Sequence, residues 1–381
     1  MKLDVVEVTR EIVNFPSESL TSNVACTRHS ARMLRKLGFE VESLPYTDAN
    51  GVEKLSVVAR LGKGTGGLAL MSHNDVVPAN MEDGWTGDPY DARVTDGRVI
   101  GRGSADMKGP LAASICAAAR FRGGDLKAPL YIVITADEEI SGVGARMVTD
   151  ESRLFAEAAD GYGIVCEPTR LRVVYGHKAG MSFAVTAKGK PAHTSTLRGV
   201  NANLKMIPFL QEMAELNELV LTADRFRNDE FDPPHSELTI SVNDHNVAMN
   251  ISPARSVCRL SYRCMPGVDP GEIVERVRDA ARRHRLECRY SASGSPVYTP
   301  VDSPWVRTAL RLTGTRKART VPFGTDGIHY VRKMKQLVVL GPGDIAQAHT
   351  ADEWIEVDQL RKGVEVYSRF IDRVCVHSSI E

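Results

Sequence analysis

Short, uninterrupted runs of strand-forming residues constrain the fold of this chain more than any other feature. Tyr131–Thr135 consists only of aromatic and β-branched residues, which is typical of a strand buried on both faces. Ile164–Cys166 and Leu337–Leu340 have the same character. Helical patterns separate such runs and flank them, at 3–13, 24–37, 112–121, 304–313 and 358–375. Alternating strands and helices predict an α/β domain with a largely parallel sheet.

The middle of the chain follows a different order. Strand patterns lie at 181–187, 237–243, 256–264 and 287–292, and helical patterns lie at 201–219 and 270–286. This βαββαβ order is that of the ferredoxin-like unit. We therefore predict a larger α/β domain formed by 1–177 and 294–381, with a ferredoxin-like domain inserted at 178–293. A length of 381 residues suits two domains.

The glycine-rich segment Gly62–Gly67 joins the strand patterns 55–61 and 68–71. A dinucleotide-binding glycine loop would follow a strand and open a helix, whereas this segment leads into another strand. We therefore predict a hairpin turn here.

Charge and composition exclude several classes of partner. Lys+Arg and Asp+Glu both number 48, so the chain has no basic field that would attract nucleic acid or an anionic membrane. No apolar run approaches the roughly 18–20 residues that span a bilayer, and the first residues lack a signal-type apolar core. The seven cysteines form no CxxC pair. We expect a cytoplasmic protein with reduced thiols that binds neither nucleic acid nor membrane.

Histidines and carboxylates follow the strand patterns at the point where each pattern ends. They are His73, the adjacent Glu138 and Glu139, Glu167 and His349. In open α/β sheets, sites lie beyond the carboxyl ends of the strands. These side chains are ligands for zinc-type ions, and Asp106, between flexible glycines, could bridge two ions. The pattern predicts a hydrolase that uses two metal ions to activate water.

Each of these residues also has a structural interpretation when it is considered alone. His73 and Asp75 could form a buried pair, although a carboxylate beside a metal-binding histidine also raises its basicity. Asp106 before a helical pattern is typical of an N-cap. Glu138 and Glu139 could form an acidic first helical turn. Their recurrence at one end of one predicted sheet favours the metal site.

The chain resembles, over nearly its whole length, the di-zinc metallohydrolase family that includes acetylornithine deacetylase, succinyl-diaminopimelate desuccinylase and the aminoacylases. The motifs that carry the resemblance are His73–Pro78, Gly101–Gly109, Asp137–Glu139, Glu167–Thr169 and Ala348-His349 ahead of Asp352-Glu353. The resemblance implies a zinc-peptidase-like catalytic domain, and it implies that the inserted domain is a lid and a dimerisation domain.

The resemblance also implies roles in the catalytic domain. The implied ligands are His73 and Glu167 for one zinc ion, Glu139 and His349 for the other, and Asp106 as the bridge. Glu138 would be the general base, and Asp75 would orient His73. Cobalt or manganese could substitute for zinc.

Further implied positions concern the substrate. His193 would reach the partner subunit's active site and stabilise the oxyanion, so a homodimer through the lid is expected. Asn250 and Arg263 would contact the substrate, since the fork of an arginine suits a carboxylate. Gly324 and Thr325, ahead of Asp326, match a substrate-side loop of the catalytic domain. Considered alone, His193 is typical of a surface loop and Arg263 of an exposed strand.

Together these features predict zinc-dependent hydrolysis of the amide bond of an N-acyl amino acid, a small molecule, to a carboxylate and a free amino acid. Gly176–Ala179 and Gly341–Asp344 are similar to the acetylornithine deacetylase branch, whereas Ser104-Ala105 is similar to general deacylases and dipeptidases. Substrates similar to N-acetyl-ornithine are the first hypothesis. A desuccinylase, or a di- or aminopeptidase-like hydrolase, is the alternative. A non-catalytic binding protein is disfavoured, because all five ligands and Glu138 are present.

Overall fold

The computed structural model describes residues 3–246 and 248–380. The chain divides into two compact units. Unit 1 comprises Met1–Gly176, Val297–Arg319 and Thr325–Glu381, and unit 2 comprises His177–Pro296 and Thr320–Gly324. The predicted insertion at 178–293 lies within the first segment of unit 2, and the structure adds the short second segment to it.

The elements follow in chain order. The strands are β1 Glu40–Thr47, β2 Glu53–Leu61, β3 Leu68–His73, β4 Arg93–Thr95, β5 Arg98–Ile100, β6 Leu130–Thr135, β7 Tyr162–Val165, β8 Val174–His177, β9 Ala179–Lys188, β10 Leu238–Asn243, β11 Arg255–Cys264, β12 Glu287–Ala292, β13 Val297–Tyr298, β14 Arg319–Val321, β15 Gln336–Val339 and β16 Trp354–Glu356. The helices are α1 Val5–Val13, α2 Val24–Lys36, α3 Gly109–Ala118, α4 Val143–Glu151, α5 Arg153–Ala158, α6 Ala202–Thr222, α7 Gly271–Arg283, α8 Pro304–Thr313, α9 Gly327–Tyr330 and α10 Val357–Ile371.

A large sheet forms the centre of unit 1. Its strand order is β1-β2-β6-β3-β7-β15-β8-β13, and β14 pairs with β8. The neighbours β6, β3, β7 and β15 run parallel to one another. Antiparallel pairs flank them, between β1 and β2, β2 and β6, and β15 and β8. Every residue of β3 and β6 is buried, so the predicted α/β class is confirmed.

The glycine-rich segment Gly62–Gly67 does not form the predicted hairpin. Strand β6 lies between β2 and β3, antiparallel to the first and parallel to the second. The segment therefore connects β2 to a strand that lies two positions away in the sheet, and not to its direct neighbour. Gly67 has φ of +80°, and a Cβ there would lie 2.0 Å from the carbonyl oxygen of Pro129. Glycine is needed at this position because the two backbones approach so closely.

Local signals set the helix ends. The Ser303 side chain accepts a hydrogen bond from the Val306 N–H, Pro304 occupies the first turn of α8, and Gly314 follows its end with φ of 71°. Such a cap stabilises a helix by about 1 kcal/mol. The alanine-rich helix α3 buries all its residues, and its small side chains allow α1 and α10 to pack against it.

Unit 2 contains a second, antiparallel sheet with the order β10-β11-β9-β12. Numbered within the unit this order is 2-3-1-4, the arrangement of a ferredoxin-like fold. Helices α6 and α7 bury apolar residues such as Met206, Phe209 and Val277 in one core with this sheet. Strand β10 is an edge strand.

A small sheet of order β16-β5-β4 completes unit 1. It pairs Trp354 with Ile100 and Glu356 with Arg98, which brings a segment near the C-terminus beside the loop after β5. Across residues 3–246 and 248–380, no helix is both long enough and apolar enough to cross a membrane.

Candidate active site

Two groups of side chains meet in unit 1, and Asp106 belongs to both. The first group is His73, Asp106 and Glu167, and the second is Asp106, Glu139 and His349. Within each group, one ligand atom from each residue lies within 4.8 Å of the others. The Oδ1 atom of Asp106 is 3.2 Å from Nε2 of His73, and its Oδ2 atom is 3.5 Å from Nε2 of His349. Each carboxylate oxygen therefore faces a different histidine.

Other contacts complete the two groups. Nε2 of His73 lies 3.9 Å from a carboxylate oxygen of Glu167, and Nε2 of His349 lies 3.1 Å from one of Glu139. The first group is buried, whereas the His349 side chain is 52% exposed. One group is therefore enclosed and the other opens to solvent.

The parallel strands explain why these residues converge. His73 is the last residue of β3, Glu138 and Glu139 follow β6, and Glu167 follows β7. These strands are neighbours that point the same way, so their carboxyl ends share one edge of the sheet. His349 follows β15 after the longer loop 340–348, and it has φ of 64°.

Asp106 is not the N-cap of α3. That position is occupied by Lys108, and Asp106 itself has extended backbone angles. The backbone N–H groups of Gly103, Ala105 and Asp106 all donate to the buried carboxylate of Glu353, at 3.0, 2.9 and 3.0 Å. Glu353 therefore positions the loop that presents Asp106. From the sequence, Glu353 was predicted only as part of a motif, without a role of its own.

Glu353 also has a charged partner. The Arg102 guanidinium donates to the Glu353 carboxylate at 2.8 Å, and both side chains are buried. A buried carboxylate with a cation and three N–H donors is well satisfied. The loop from Arg102 to Asp106 is thus fixed at both ends to one side chain.

Asp75 makes an unexpected set of contacts. Nδ1 of His73 donates to the backbone carbonyl of Asp75 at 3.0 Å, whereas the Asp75 carboxylate is 3.6 Å from that nitrogen. This carboxylate instead accepts the backbone N–H groups of Glu138 and Glu139, at 3.2 and 3.3 Å, and the Ser19 hydroxyl at 2.8 Å. A proton on Nδ1 leaves Nε2 of His73 free to bind a metal ion.

The acids of the site repel one another. Burial raises the pKa of Glu138 and of Glu167 well above the usual range, and the charges of neighbouring acids add to the effect. Burial lowers the pKa of His73, but the hydrogen bond to Asp106 and the nearby Glu138 and Glu167 outweigh it and raise that pKa strongly. Hydrogen bonds to Asp106 and Glu139 raise the pKa of His349 to about 10.

These residues fit a pair of divalent cations. Four carboxylates and two histidines share the site, so negative charge accumulates where burial disfavours it. Nitrogen and oxygen donors in two groups of three are the ligands that zinc-type ions take. Glu138 belongs to neither group. Its carboxylate lies 3.9 Å from Nε2 of His73 and remains available for proton transfer.

Two further residues flank this site in unit 1. Asp326 is buried, and its carboxylate accepts a hydrogen bond from the Thr135 hydroxyl at 2.7 Å. Burial, together with the charges of Asp75 and Asp137, raises the pKa of Asp326 to about 7. Thr325 is also buried, and its hydroxyl oxygen accepts the Gly327 N–H at 3.0 Å.

The other proposed substrate residues lie in unit 2. They form two pairs of neighbouring residues, His193 with Asn250 and Arg263 with Gly324. The exposed His193 is hydrogen-bonded to Ser195, and the next residue, Thr194, donates its N–H to the Asn250 carbonyl at 2.9 Å. A Cβ on Gly324 would lie 3.7 Å from the Arg263 guanidinium. Gly324 was predicted in the larger domain but belongs to unit 2, because its segment packs there: Thr320 donates to the Glu230 carbonyl.

Comparisons with known proteins relate nearly the whole chain to one family. Residues 69–373 match Peptidase family M20/M25/M40. An acetylornithine deacetylase of Photorhabdus laumondii subsp. laumondii is 31% identical over 388 residues, which cover 98% of each chain. An acetylornithine deacetylase of Proteus mirabilis is also 31% identical, over 97% of each chain.

Solved structures are similar in fold. An M20 family metallo-carboxypeptidase of Sulfolobus solfataricus has a TM-score of 0.74 and 18% identity, over 97% of this chain and 98% of that chain. A tripeptidase of Staphylococcus aureus has the same TM-score, 20% identity and the same coverage. A dinuclear metal-binding peptidase of the M20 family from Bacillus subtilis has a TM-score of 0.62 and 14% identity, over 96% of each chain. The likeness supports the zinc-peptidase-like α/β architecture.

Proposed function

The chain belongs to Peptidase family M20/M25/M40 and is a metal-dependent hydrolase, and from this premise we propose that it cleaves the amide bond of an N-acyl amino acid. Substrates similar to N-acetyl-ornithine are the first choice, since the curated relatives named above are acetylornithine deacetylases. The observation that carries the proposal is Asp106, whose two oxygens face two separate groups of ligand atoms.

Two zinc ions, or cobalt or manganese in their place, are the proposed cofactors. His73, Asp106 and Glu167 would hold one ion, and Asp106, Glu139 and His349 the other. When bound, such ions polarise the substrate carbonyl and lower the pKa of water. The Bacillus subtilis peptidase, described as binding a dinuclear metal centre, supports a pair rather than a single ion.

Glu138 is the proposed general base and then acid. Its carboxylate lies 3.9 Å from Nε2 of His73 but belongs to neither ligand group, and burial raises the pKa of this carboxyl. A carboxylate with a raised pKa can accept the proton of the attacking water and return it to the leaving amine. The chain itself thus supplies the group that would transfer the proton. Asp75 fixes the backbone of Glu138, because its carboxylate accepts the Glu138 N–H.

Further residues are proposed to contact the substrate. Arg263 would bind the substrate carboxylate through its two-pronged guanidinium, with Gly324 beside it. Asn250, whose loop lies beside that of His193, would contact the substrate, and His193 would stabilise the oxyanion in the partner subunit's active site. Thr325, the residue after Gly324, is also proposed to contact the substrate.

A homodimer through unit 2 is part of the proposal. Edge strand β10 leaves Val242 50% exposed, and the first half of α6 leaves Leu204 and Ile207 at 66% and 53%. An unpaired strand edge beside apolar side chains is a surface that a second copy could cover. We also propose a cytoplasmic location, because all seven cysteines are free, as in a reducing compartment.

An oligopeptide substrate is the second candidate. Ser104-Ala105 before Asp106 is similar to the dipeptidase branch, and the solved relatives include a carnosine dipeptidase and a tripeptidase. Removal of a succinyl group is a third option for the same chemistry.

A substrate screen tests the proposal. The zinc-loaded protein would be incubated with N-acetyl-ornithine, N-succinyl-diaminopimelate, several N-acetyl amino acids and simple dipeptides, each with a chelated control. We expect chelator-sensitive release of amine from an N-acetyl amino acid. Turnover of dipeptides alone would replace the first candidate by the second. A protein with two bound metal ions and no turnover of any substrate would contradict the proposed function.

A further inference from the structure

A buried lysine contacts the turn that carries Glu138 and Glu139. Lys54, on strand β2, is 1% exposed. Its ammonium group is 2.8 Å from a carboxylate oxygen of Asp137, and it donates to the carbonyl oxygens of Ser19 and Thr21 at 2.6 and 2.8 Å. The ammonium group thus makes two hydrogen bonds to carbonyl oxygens and one ion pair. The predicted strand pattern began at Leu55, and no role was assigned to Lys54 from the sequence.

Asp137, the partner of Lys54, begins the turn after β6. Its φ of 63° is in the left-handed region, and its carbonyl accepts the N–H groups of Ser141 and Gly142 at 2.9 and 2.7 Å. The Tyr46 hydroxyl donates to its second carboxylate oxygen at 2.8 Å. An aspartate in this conformation needs neighbours that hold it there. Asp137 therefore fixes the start of the segment that presents Glu138 and Glu139.

The same lysine also reaches the other side of this segment. Lys54 binds the Ser19 carbonyl, the Ser19 hydroxyl donates to Asp75, and Asp75 accepts the N–H groups of Glu138 and Glu139. Asp137 is joined to Glu138 by the chain itself. The contacts form a closed ring around the proposed base and the neighbouring metal ligand, and Lys54 is the member that links its two sides.

We propose that Lys54 is a positioning residue for the hydrolytic reaction. It holds the Asp137 turn and the Ser19 loop together, so that Glu138 and Glu139 keep their places relative to Asp106. The inference rests on the proposed function for its chemistry, but the position of Glu139 has a consequence that needs no substrate. A displaced Glu139 would weaken the binding of zinc.

Three variants separate positioning from simple stability. Lys54→Met removes the ammonium group and leaves the buried Asp137 carboxylate without its cationic partner. Lys54→Met with Asp137→Asn removes both charges and relieves that penalty. Tyr46→Phe removes one hydrogen bond to Asp137 and leaves the charges intact. Lys188→Met, on an exposed strand lysine, is the matched control. Each purified protein is assayed for its melting temperature, its zinc affinity by chelator competition, and its kcat and KM.

The double variant gives the deciding result. We expect it to melt closer to the wild-type protein than Lys54→Met does, yet to lose about 100-fold in kcat, as misplaced catalytic groups do. Zinc affinity should fall about 10-fold or more, as for other losses of ligand support. Tyr46→Phe should change the same quantities in the same direction by smaller factors. The control should match the wild-type protein in every quantity.

The outcomes distinguish the two proposals. A folded double variant with wild-type kcat and zinc affinity would overturn the positioning role and leave Lys54 a stabilising residue. If the wild-type protein hydrolyses no N-acyl amino acid, the proposed function fails, and the zinc affinities still decide the role of Lys54. If Lys54→Met does not fold, the double variant and Tyr46→Phe give the same comparison.

Discussion

Residues that are adjacent in the sequence have different places in this site. Glu138 and Glu139 are adjacent, yet only Glu139 joins a group of potential metal ligands. Both N–H groups are held by one carboxylate, that of Asp75. Their backbone is thereby fixed, and the two carboxylates can do different work.

Replacing Glu138 by alanine should separate proton transfer from metal binding. We expect Glu138→Ala to lower kcat by roughly 10²–10⁴-fold, the usual contribution of a general acid–base group. The zinc content should stay near that of the wild-type protein, because Glu138 belongs to neither ligand group. Steady-state kinetics and metal analysis check both expectations, with Glu151→Ala, an exposed glutamate on α4, as the control. Full activity in Glu138→Ala would remove Glu138 from the mechanism.

Zinc binding should release protons and strengthen with pH. In the metal-free protein, hydrogen bonds to Asp106 and Glu139 raise the pKa of His349 to about 10, so this histidine is protonated at neutral pH. Its protonated form stabilises the metal-free fold most below its ordinary pKa of about 6.5, and that stabilisation is lost as pH rises through the raised value. A zinc ion must displace this proton.

Calorimetry in buffers of different ionisation enthalpy measures the effect directly. We expect a net release of at least about one proton per protein at pH 7, and a zinc affinity that increases from pH 7 towards pH 9. An affinity independent of pH, with no proton released, would contradict the assignment of His349 as a ligand.

The residues that the sequence revealed are those that follow strands. His73, Glu139 and Glu167 stand directly after strand patterns, so the sheet edge on which they lie could be predicted. Lys54 and Glu353 could not be found this way. A lysine at the start of a strand is ordinarily solvated, and the partners of both residues are distant in the sequence.

At the scale of elements, the parallel strands place the site, and loops refine it. The apolar runs predicted β6, β7 and β15, because a strand buried on both faces needs such residues. The strand order was not predicted at Gly62–Gly67. Strand β6, which separates β2 from β3, comes much later in the chain, at Leu130–Thr135, so neither local pattern could indicate that it lies between them.

The loop from Arg102 to Asp106 depends on the segment before β16. Glu353→Gln should weaken zinc binding by about 10–100-fold, because the acceptors that hold the Asp106 backbone are disturbed. It should also destabilise the fold by roughly 3 kcal/mol, since Arg102 loses its buried partner.

Chelator competition and chemical unfolding measure these two effects. Glu356→Gln, three residues further on and half-buried, is the control and should leave zinc affinity unchanged. A folded Glu353→Gln protein with wild-type zinc affinity would show that the loop holds its conformation without this carboxylate.

At the scale of the whole molecule, the chain combines a unit that contains the two groups of potential metal ligands and a unit that contains most of the proposed substrate contacts. The ferredoxin-like order of unit 2 could be predicted, because its strands and helices have strong local patterns. Its assembly could not be predicted from patterns alone, since exposed apolar residues such as Leu204 occupy ordinary helical positions.

A charge on the edge strand should test the proposed dimer. Lysine on an exposed strand edge blocks pairing, so Val242→Lys should convert the protein from dimer to monomer in light scattering. Zinc content should be unchanged, and hydrolysis should fall if His193 acts on the partner subunit's site. Val94→Lys, on an exposed strand position of unit 1, is the control. A wild-type protein that is monomeric and fully active would rule out a contribution in trans.

Because Asp106 belongs to both groups of potential ligands, the two proposed ion positions should be thermodynamically linked. An ion in the enclosed group of His73 and Glu167 would orient the carboxylate for the second position, whereas the second position can empty through the exposed His349. Loading and removal should then follow an order, with a one-ion form that keeps the enclosed position filled. Native mass spectrometry during slow chelation should show this form accumulate, and simultaneous loss of both ions would show that the positions empty together.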